Sequence, residues 1–501
     1  MAQPTQIVWF KRDLRVFDHK PLAAALARGP TLALCIIEPE LWRQSDRSGR
    51  HWRFWRDAVA DLDEALRQLG GRLTVRIGET LPVLTRLQRE HGPLALWAHE
   101  ETGTLWTDRR DIAVRRWCRD QGIALTEFRQ FGVFRPLKHR NNWASRWRQQ
   151  MRQPLATLPA THSWTVADST PGWEHWQPSI SGERVGGPES TMQLSGRAQA
   201  ESDLTSFLTE RGRSYSTELS SPVSAESACS RISAHLSVGT ISIREAAKAT
   251  WLQQDKLQRK ESWPRSLKAF EGRLHWHCHF VQKFESEPRI EFENLSRAMD
   301  GMRETEFDDD LYQAWAAGQT GYPFVDACMR YLRDTGWINF RMRAMLMSFA
   351  AYQLWLHWRQ PALHLARCFL DYEPGIHYSQ VQMQSGTTGI NATRIYNPLK
   401  QSRDQDPDGD FIRRWVPELA GVTGDWIHEP WRMTKTQLDQ AGVHIGRDYP
   451  RPVVDHQKTA AAARKRLAGF RSSSAARQES FRIMEKHGSR RRRSQRTSLG
   501  G

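Results

Sequence analysis

Between residues 7 and 128 five short apolar runs (7–10, 32–37, 73–77, 94–98 and 123–128) alternate with four stretches of helical period (21–28, 52–69, 81–90 and 107–120). No other feature restricts the chain so tightly. Strands separated by helix-length segments do not close as hairpins, so they pair in parallel and helices cover both faces of the sheet. Gly70-Gly71 supplies a helix stop just before the third run. The pattern predicts a doubly wound α/β domain. Such a sheet binds ligands at the carboxyl ends of its strands, yet the first run leads into Lys11-Arg12-Asp13-Leu14-Arg15 and not into a G-x-G-x-x-G loop. A nicotinamide dinucleotide is therefore not expected.

After residue 128 the pattern changes. Residues 154–198 are rich in Ser, Thr, Gly and Pro with little periodicity, which predicts a connector over the surface. From 201 to 419 helical patterns follow one another, at 309–315, 322–335 and 341–357 among others, and predict an all-helical second domain. The divisions are 5–132 for the α/β domain, 133–200 for the connector, 201–452 for the helical domain and 453–501 for a basic tail. From residue 455 onward there are 13 Lys and Arg against 3 Asp and Glu, including four Arg at 490–493 and Arg496. With so little apolar content this tail is expected to be disordered.

That stretch supplies +10 of the chain's net +16, so the basic balance says little about the folded body. The tail has two readings: salt-dependent contact with DNA phosphates or an acidic partner, or a solvated end. No run approaches the ~20 apolar residues a bilayer span requires, and the first residues show no signal pattern; a cytoplasmic, non-membrane protein is expected. The six Cys lack any C-x-x-C pair, which argues against a disulfide framework, an iron–sulfur cluster or a zinc ribbon. His275 and His279 stand at i, i+4 beside Cys278, but no further ligand cluster accompanies them and no metal is expected.

The motifs go further. The opening Ile7-Val-Trp-Phe-Lys-Arg-Asp-Leu-Arg-Val16 with Asp18, the stretch 230–242 (SRISAHLSVGTIS), Trp315 with 318–330 (GQTGYPFVDACMR), Thr335-Gly-Trp337, 394–398 (RIYNP) and 411–419 (FIRRWVPEL) occur in this order. Together they resemble the photolyase/cryptochrome family over residues 5–430, and long motifs in one order are far more specific than a single short one. The resemblance implies an antenna domain followed by an FAD-binding domain. Its leading functional implication is light-driven repair of UV-induced pyrimidine dimers in DNA by electron transfer from reduced FAD. The alternative is a cryptochrome-like photoreceptor that binds FAD without repairing DNA. It implies a monomer with DNA as partner, and an antenna pigment, folate or deazaflavin, near Lys11, Arg12 and residues 99–103 (HEETG).

Ser230, Arg231 and Ser233 offer hydroxyls, a cation and helix-start N–H groups to phosphates, although a Ser-Arg pair there is also an ordinary N-cap. The resemblance implies that Tyr215, Cys229, Ser230, Arg231, Ile232 and Ser233 hold the pyrophosphate and ribityl chain. Cys229 stands where relatives have a hydroxyl. The same resemblance implies that Phe270, Arg273, Phe340, Arg343, Asp371, Tyr372, Glu373 and His377 surround the flavin, with Arg343 and Asp371 paired. His377 falls beside flavin N5, unless it is a satisfied structural histidine.

The departures from the family pattern concern the lesion and the electron. Trp276 keeps one lesion-stacking position, but Arg273 replaces the carboxylate three residues before it and Met383 replaces a second Trp. Trp276, Met383 and Arg273 are the expected lesion contacts, with Tyr322 and Arg341 nearby. The segment 337–343 lacks the His that (6-4) repair uses, which disfavours that activity. In the family's three-Trp relay, Trp358 fits the middle position, Val381 occupies the flavin-proximal one, and no Trp lies near Thr305. Tyr352, Trp355, Tyr372 and Tyr378 are candidates for a replacement path or ordinary core rings.

Overall fold

A computed structural model describes residues 4–137, 139–180, 192–257 and 263–488. Strands β1 (Thr5–Phe10), β2 (Thr31–Ile37), β3 (Leu73–Ile77), β4 (Leu94–Glu100) and β5 (Ala124–Arg129) form one parallel sheet in the order β3-β2-β1-β4-β5. Every residue of β2 is buried, as a strand covered on both faces requires. The covering helices are α1 (Lys20–Leu26), α2 (Pro39–Trp42), α3 (Gly49–Gln68), α4 (Thr80–His91) and α5 (Leu105–Asp120). Only the single turn α2 goes beyond the expected pattern. The strand order reverses between β1 and β4, so the loops after Phe10 and Glu100 flank the crevice at the topological switch point.

The connector is more ordered than expected. Within it α6 (Trp143–Arg152) packs Trp143, Trp147 and Met151, spaced by four, into the core of the helical domain. Farther on, the chain runs along β3: Thr170 donates its N–H to the Val75 carbonyl (2.8 Å), and the Val75 and Ile77 N–H groups donate to Ser169 Oγ and Thr170 Oγ1. Its polar composition thus covers a sheet edge whose backbone groups would otherwise be unpaired. The Ser- and Gly-rich residues 181–191 lie outside the described residues.

The second domain is helical as expected. It comprises α7 (Arg197–Thr209), α8 (Tyr215–Glu218), α9 (Pro222–Ala228), α10 (Ser233–Val238), α11 (Ile243–Lys256) and α12 (Trp263–Glu285). Next come α13 (Asp309–Ala317), α14 (Pro323–Thr335), α15 (Phe340–Ser348), α16 (Arg359–Cys368) and α17 (Pro374–Ser385), then α18 (Pro398–Gln405), α19 (Asp410–Trp415) and α20 (Lys435–Ala441). The domains meet through buried polar contacts. Asp18 pairs with Arg244, accepts from Ser242 Oγ (2.6 Å) and caps the Ala156 N–H (3.0 Å), while Arg12 reaches Glu373 at 2.6 Å.

The expectation of a disordered tail fails for residues 456–487. They form α21 (His456–Arg471) and α22 (Ser474–His487). Asp455 caps α21 through the N–H groups of Gln457 and Lys458, and Ala463 and Leu467 pack on Met302 and Tyr352. Glu479 on α22 accepts from Ser296 Oγ and from the N–H groups of Arg297 and Ala298. Mean charge concealed a narrow apolar stripe, Ala460, Ala463 and Leu467, at helical spacing. The arginines at 490–493 and Arg496 lie outside the described residues. Among the described residues no helix is long and apolar enough to cross a membrane, and all six Cys are free thiols.

Candidate functional site

Three helices turn stripes of side chains toward one cavity of about 270 Å³. Arg273 and His277 lie one turn apart on α12, Phe340, Arg343, Ala344 and Met347 share a face of α15, and His377, Gln380, Val381 and Gln384 follow along α17. Tyr215, Cys229 and Ser233 close another side, and Phe369 and the loop Asp371–Glu373 complete the wall. Arg343 donates both terminal nitrogens to Asp371, at 2.8 and 2.9 Å, and its Nε to the Ile338 carbonyl. Burial by itself would raise the Asp371 carboxyl, but the Arg343 guanidinium holds it below the ordinary value. The cavity therefore contains a fixed ion pair of bidentate geometry.

Other polar groups around the cavity are unmatched. Both ends of the Gln380 amide, Asn339 Oδ1, Glu373 Oε1 and Arg231 Nε are buried without a hydrogen-bond partner. Unmade hydrogen bonds of this kind each cost about 1–3 kcal/mol, and a polar ligand recovers that cost. His377 Nε2 stands 2.9 Å from the Ala362 carbonyl, so this nitrogen carries the proton. Burial lowers the ring to about 4 and keeps it neutral, which leaves Nδ1 as an acceptor. Burial likewise raises the Cys229 thiol to about 11, so Cys229 meets a ligand as a neutral thiol.

Not every expected residue reaches the cavity. Tyr215, Cys229, Ser233, Arg273, Phe340, Arg343, Asp371, Tyr372, Glu373 and His377 line it. Ser230, Arg231 and Ile232 do not: Arg231 adopts a φ of 63° that turns the chain, and its guanidinium lies 4.1 Å over Trp337, which does line the wall. Phe270 is a correction. It is buried against Phe207 and stands behind Tyr215, which cover α12 two turns before His277. Trp276 is 49% exposed and leans on Phe280, flanking the stripe of Arg273 and His277, while Met383 lies outside the lining face of α17. Tyr322 is removed altogether, its hydroxyl bound to the Val454 carbonyl. Arg273 and Phe340, both exposed and 5.3 Å apart, form the mouth. His277 was legible at one turn from Arg273; Gln380 and Gln384 carried no signal beyond their helical spacing to His377.

Trp358 is fully buried, donates to Asn294 Oδ1 at 2.8 Å and does not line the cavity, whereas Val381 does. Val381, at the position the resemblance gives to the flavin-proximal Trp, is aliphatic and cannot be oxidised. The His pair of α12 is divided as well. His275 packs on Trp143 and Trp147, and His279 accepts from Arg140 at 2.9 Å. A separate group, Asp13 with His19 and His99, has metal-like spacing, but His19 Nδ1 accepts the Leu22 N–H and so turns a protonated Nε2 toward Asp13. It orders the loop after β1.

A second cavity, of about 60 Å³, opens where β1, β2 and β4 end. Trp9, Trp42 and Trp55 line it together with Glu38, Glu101 and Arg110. Arg110 pairs with Glu38, Glu101 and Asp111 and lies 4.9 Å over Trp9, so these charges are already matched within the chain. Tyr372 lines both cavities.

Neutral buried rings set an acid limit. Burial lowers His51, His277 and His377 each to about 4, against an unfolded value near 6.5. Between these values the unfolded chain binds more protons, so stability falls as pH drops from about 6.5 toward 4. At pH 5 each ring contributes a loss of about 2 kcal/mol relative to pH 7. Thermal unfolding followed by circular dichroism should show a midpoint several degrees lower at pH 5, and His51→Gln should reduce that difference.

An α/β domain joined to a helical domain whose largely apolar cavity holds a part-buried, bidentate Arg–Asp pair is the arrangement of a flavin-binding photoprotein. Residues 6–156 match the family model "DNA photolyase", and residues 270–469 match "FAD binding domain of DNA photolyase". The deoxyribodipyrimidine photo-lyase of Halobacterium salinarum is 31% identical, over 90% of this chain and 96% of its own length. Cryptochrome DASH of Natronomonas pharaonis is 30% identical, over 90% and 98%. The solved class III photolyase of Agrobacterium tumefaciens superposes with a TM-score of 0.81 at 26% identity, covering 94% of this chain and 99% of that one. The chain belongs to the photolyase/cryptochrome family.

Proposed function

We propose that this chain is a FAD-dependent DNA photolyase that uses blue light to repair pyrimidine dimers, working in the cytoplasm as a monomer. The observation that carries it is the bidentate Arg343–Asp371 pair in a cavity whose Gln380, Asn339 and Glu373 groups want polar partners. Bound and reduced, FAD supplies a light-driven electron to a dimer flipped out of the duplex. The residues orient and exclude water. Arg343 and Asp371 would hold the flavin edge, Glu373 and His377 would offer acceptors to it, and Cys229 and Ser233 would meet the ribityl chain. Arg273 and Phe340 at the mouth meet the lesion, the cation by contact with a carbonyl or phosphate and the ring by stacking. Trp276 reaches it only from the flank. The smaller cavity is the place for an antenna pigment, folate or deazaflavin, whose entry must open the Arg110 pairs.

A second reading, a cryptochrome-like sensor, is favoured by the weak stacking platform left by an exposed Trp276 and by Met383 outside the wall. The two separate in one experiment. Dithionite-reduced protein is mixed with UV-irradiated DNA under blue light, and cyclobutane dimers and (6-4) products are counted separately. Loss of cyclobutane dimers alone is expected; no loss of either lesion rejects repair in favour of the sensor.

A further inference from the structure

With Val381 in the cavity wall, oxidised flavin needs an electron donor other than the family's Trp relay. Among the described residues, Tyr372 alone lines both cavities. Its hydroxyl donates to Asp46 Oδ2 at 2.7 Å, and both groups are buried. A phenol that loses an electron in a water-poor site must lose its proton in the same step, so it donates only where a base stands within hydrogen-bond reach. Asp46 is that base, and its second oxygen, Oδ1, makes no hydrogen bond and faces Arg47 Nε at 3.8 Å. Burial holds the Tyr372 hydroxyl well above its ordinary value, so the proton is present in the dark.

The ring also has a way outward. Arg47 lies 5.9 Å from Tyr372 and 6.0 Å from Trp42, bridging the two rings. From Trp42 the next ring, Trp52, is 5.1 Å away, and Trp176, partly exposed, is 5.0 Å beyond it. Broken only by the Arg47 guanidinium between Tyr372 and Trp42, aromatic side chains therefore run from the FAD cavity through the α/β domain to its surface.

We propose that Tyr372 reduces photoexcited oxidised FAD, with Asp46 taking its proton, and that Trp42, Trp52 and Trp176 carry the replacing electron inward from an external thiol. The O–H bond of Tyr372 breaks, one electron enters the flavin and the proton moves to Asp46 Oδ2. The thiol gives up one electron and releases its proton to solvent, two oxidised thiols combining as a disulfide; when that electron reaches Tyr372, Asp46 returns the proton and the O–H bond re-forms. The proposal rests on FAD binding in the reading above but not on repair, since photoreduction is read without DNA and repair is assayed after chemical reduction.

The test is anaerobic blue-light photoreduction of the oxidised, FAD-loaded full chain with a thiol, followed by loss of flavin absorbance at equal FAD content. Tyr372→Phe and Asp46→Asn should each slow it at least tenfold, and Trp52→Phe several-fold. Wild type should slow in deuterated solvent and show a neutral tyrosyl radical by transient absorption. Should Tyr372→Phe fail to hold FAD, Asp46→Asn and the wild-type radical still decide the matter. Wild-type rates in both variants, absence of the tyrosyl radical, or a tenfold loss in Trp358→Phe with none in Tyr372→Phe would each overturn the proposal.

Discussion

Asp371→Ala should leave the purified protein colourless. The substitution leaves the Arg343 guanidinium in the cavity wall with the Ile338 carbonyl but no counter-charge. Removing one partner of a buried, hydrogen-bonded pair costs about 3–5 kcal/mol, and each ~1.4 kcal/mol is tenfold in affinity. FAD should therefore bind about 10²–10³-fold more weakly, enough to be lost on a column. Asp371→Asn keeps the shape and one acceptor and should fall between, so FAD content is ordered wild type, Asn, Ala. Full retention in the Ala variant, measured by absorbance of the released flavin against protein, would remove Asp371 from the site. Because Arg343 also lies 4.3 Å over Phe369, the helices should survive the loss of the carboxylate, and circular dichroism separates ligand loss from unfolding.

The five strands and their covering helices were legible because a buried parallel sheet writes itself as apolar runs at crossover spacing. The cavity was legible in part. Arg343, Asp371, Glu373 and His377 were found by counting along family motifs, and all four line the wall. Beyond them, Met383 is turned off the face of α17 that carries His377, Gln380 and Gln384, Trp276 flanks the stripe of Arg273 and His277, and Phe270, in phase with His277 but two turns earlier, is covered by Phe207 and Tyr215. The tail was misread as well. Average composition outweighed the three-residue stripe that buries α21, and Glu479's grip on Ser296 Oγ and on the N–H groups of Arg297 and Ala298 is a long-range contact that no local pattern announces. Asp46 was equally invisible, since 326 residues separate it from the tyrosine it binds.

Gly239→Ala should be nearly as damaging as the loss of Asp371, from a position outside the cavity. Gly239 caps α10 in the left-handed region, at φ 80°, and an added Cβ would meet the Arg12 carbonyl oxygen at 2.3 Å and Asp13 Cα at 2.5 Å. The neighbours are backbone and cannot swing aside. They are also joined to the same turn: Leu14 N–H donates to the Val238 carbonyl, Arg12 Nε to that of Ser237 and Arg15 to that of Gly239. The left-handed strain and the overlap each cost about 1–3 kcal/mol. Relief requires the loop after β1 to draw back, which pulls Arg12 from Glu373 at one side of the cavity while shifting α10, whose first residue Ser233 lines the other. The variant should unfold at a lower temperature and release FAD. Gly272→Ala is the control, because its Cβ on α12 meets nothing within 4 Å and alanine suits a helix better by about 0.5–1 kcal/mol. If both variants unfold with the wild type and keep their flavin, the close contact between the domains at Gly239 has no role in holding the site together.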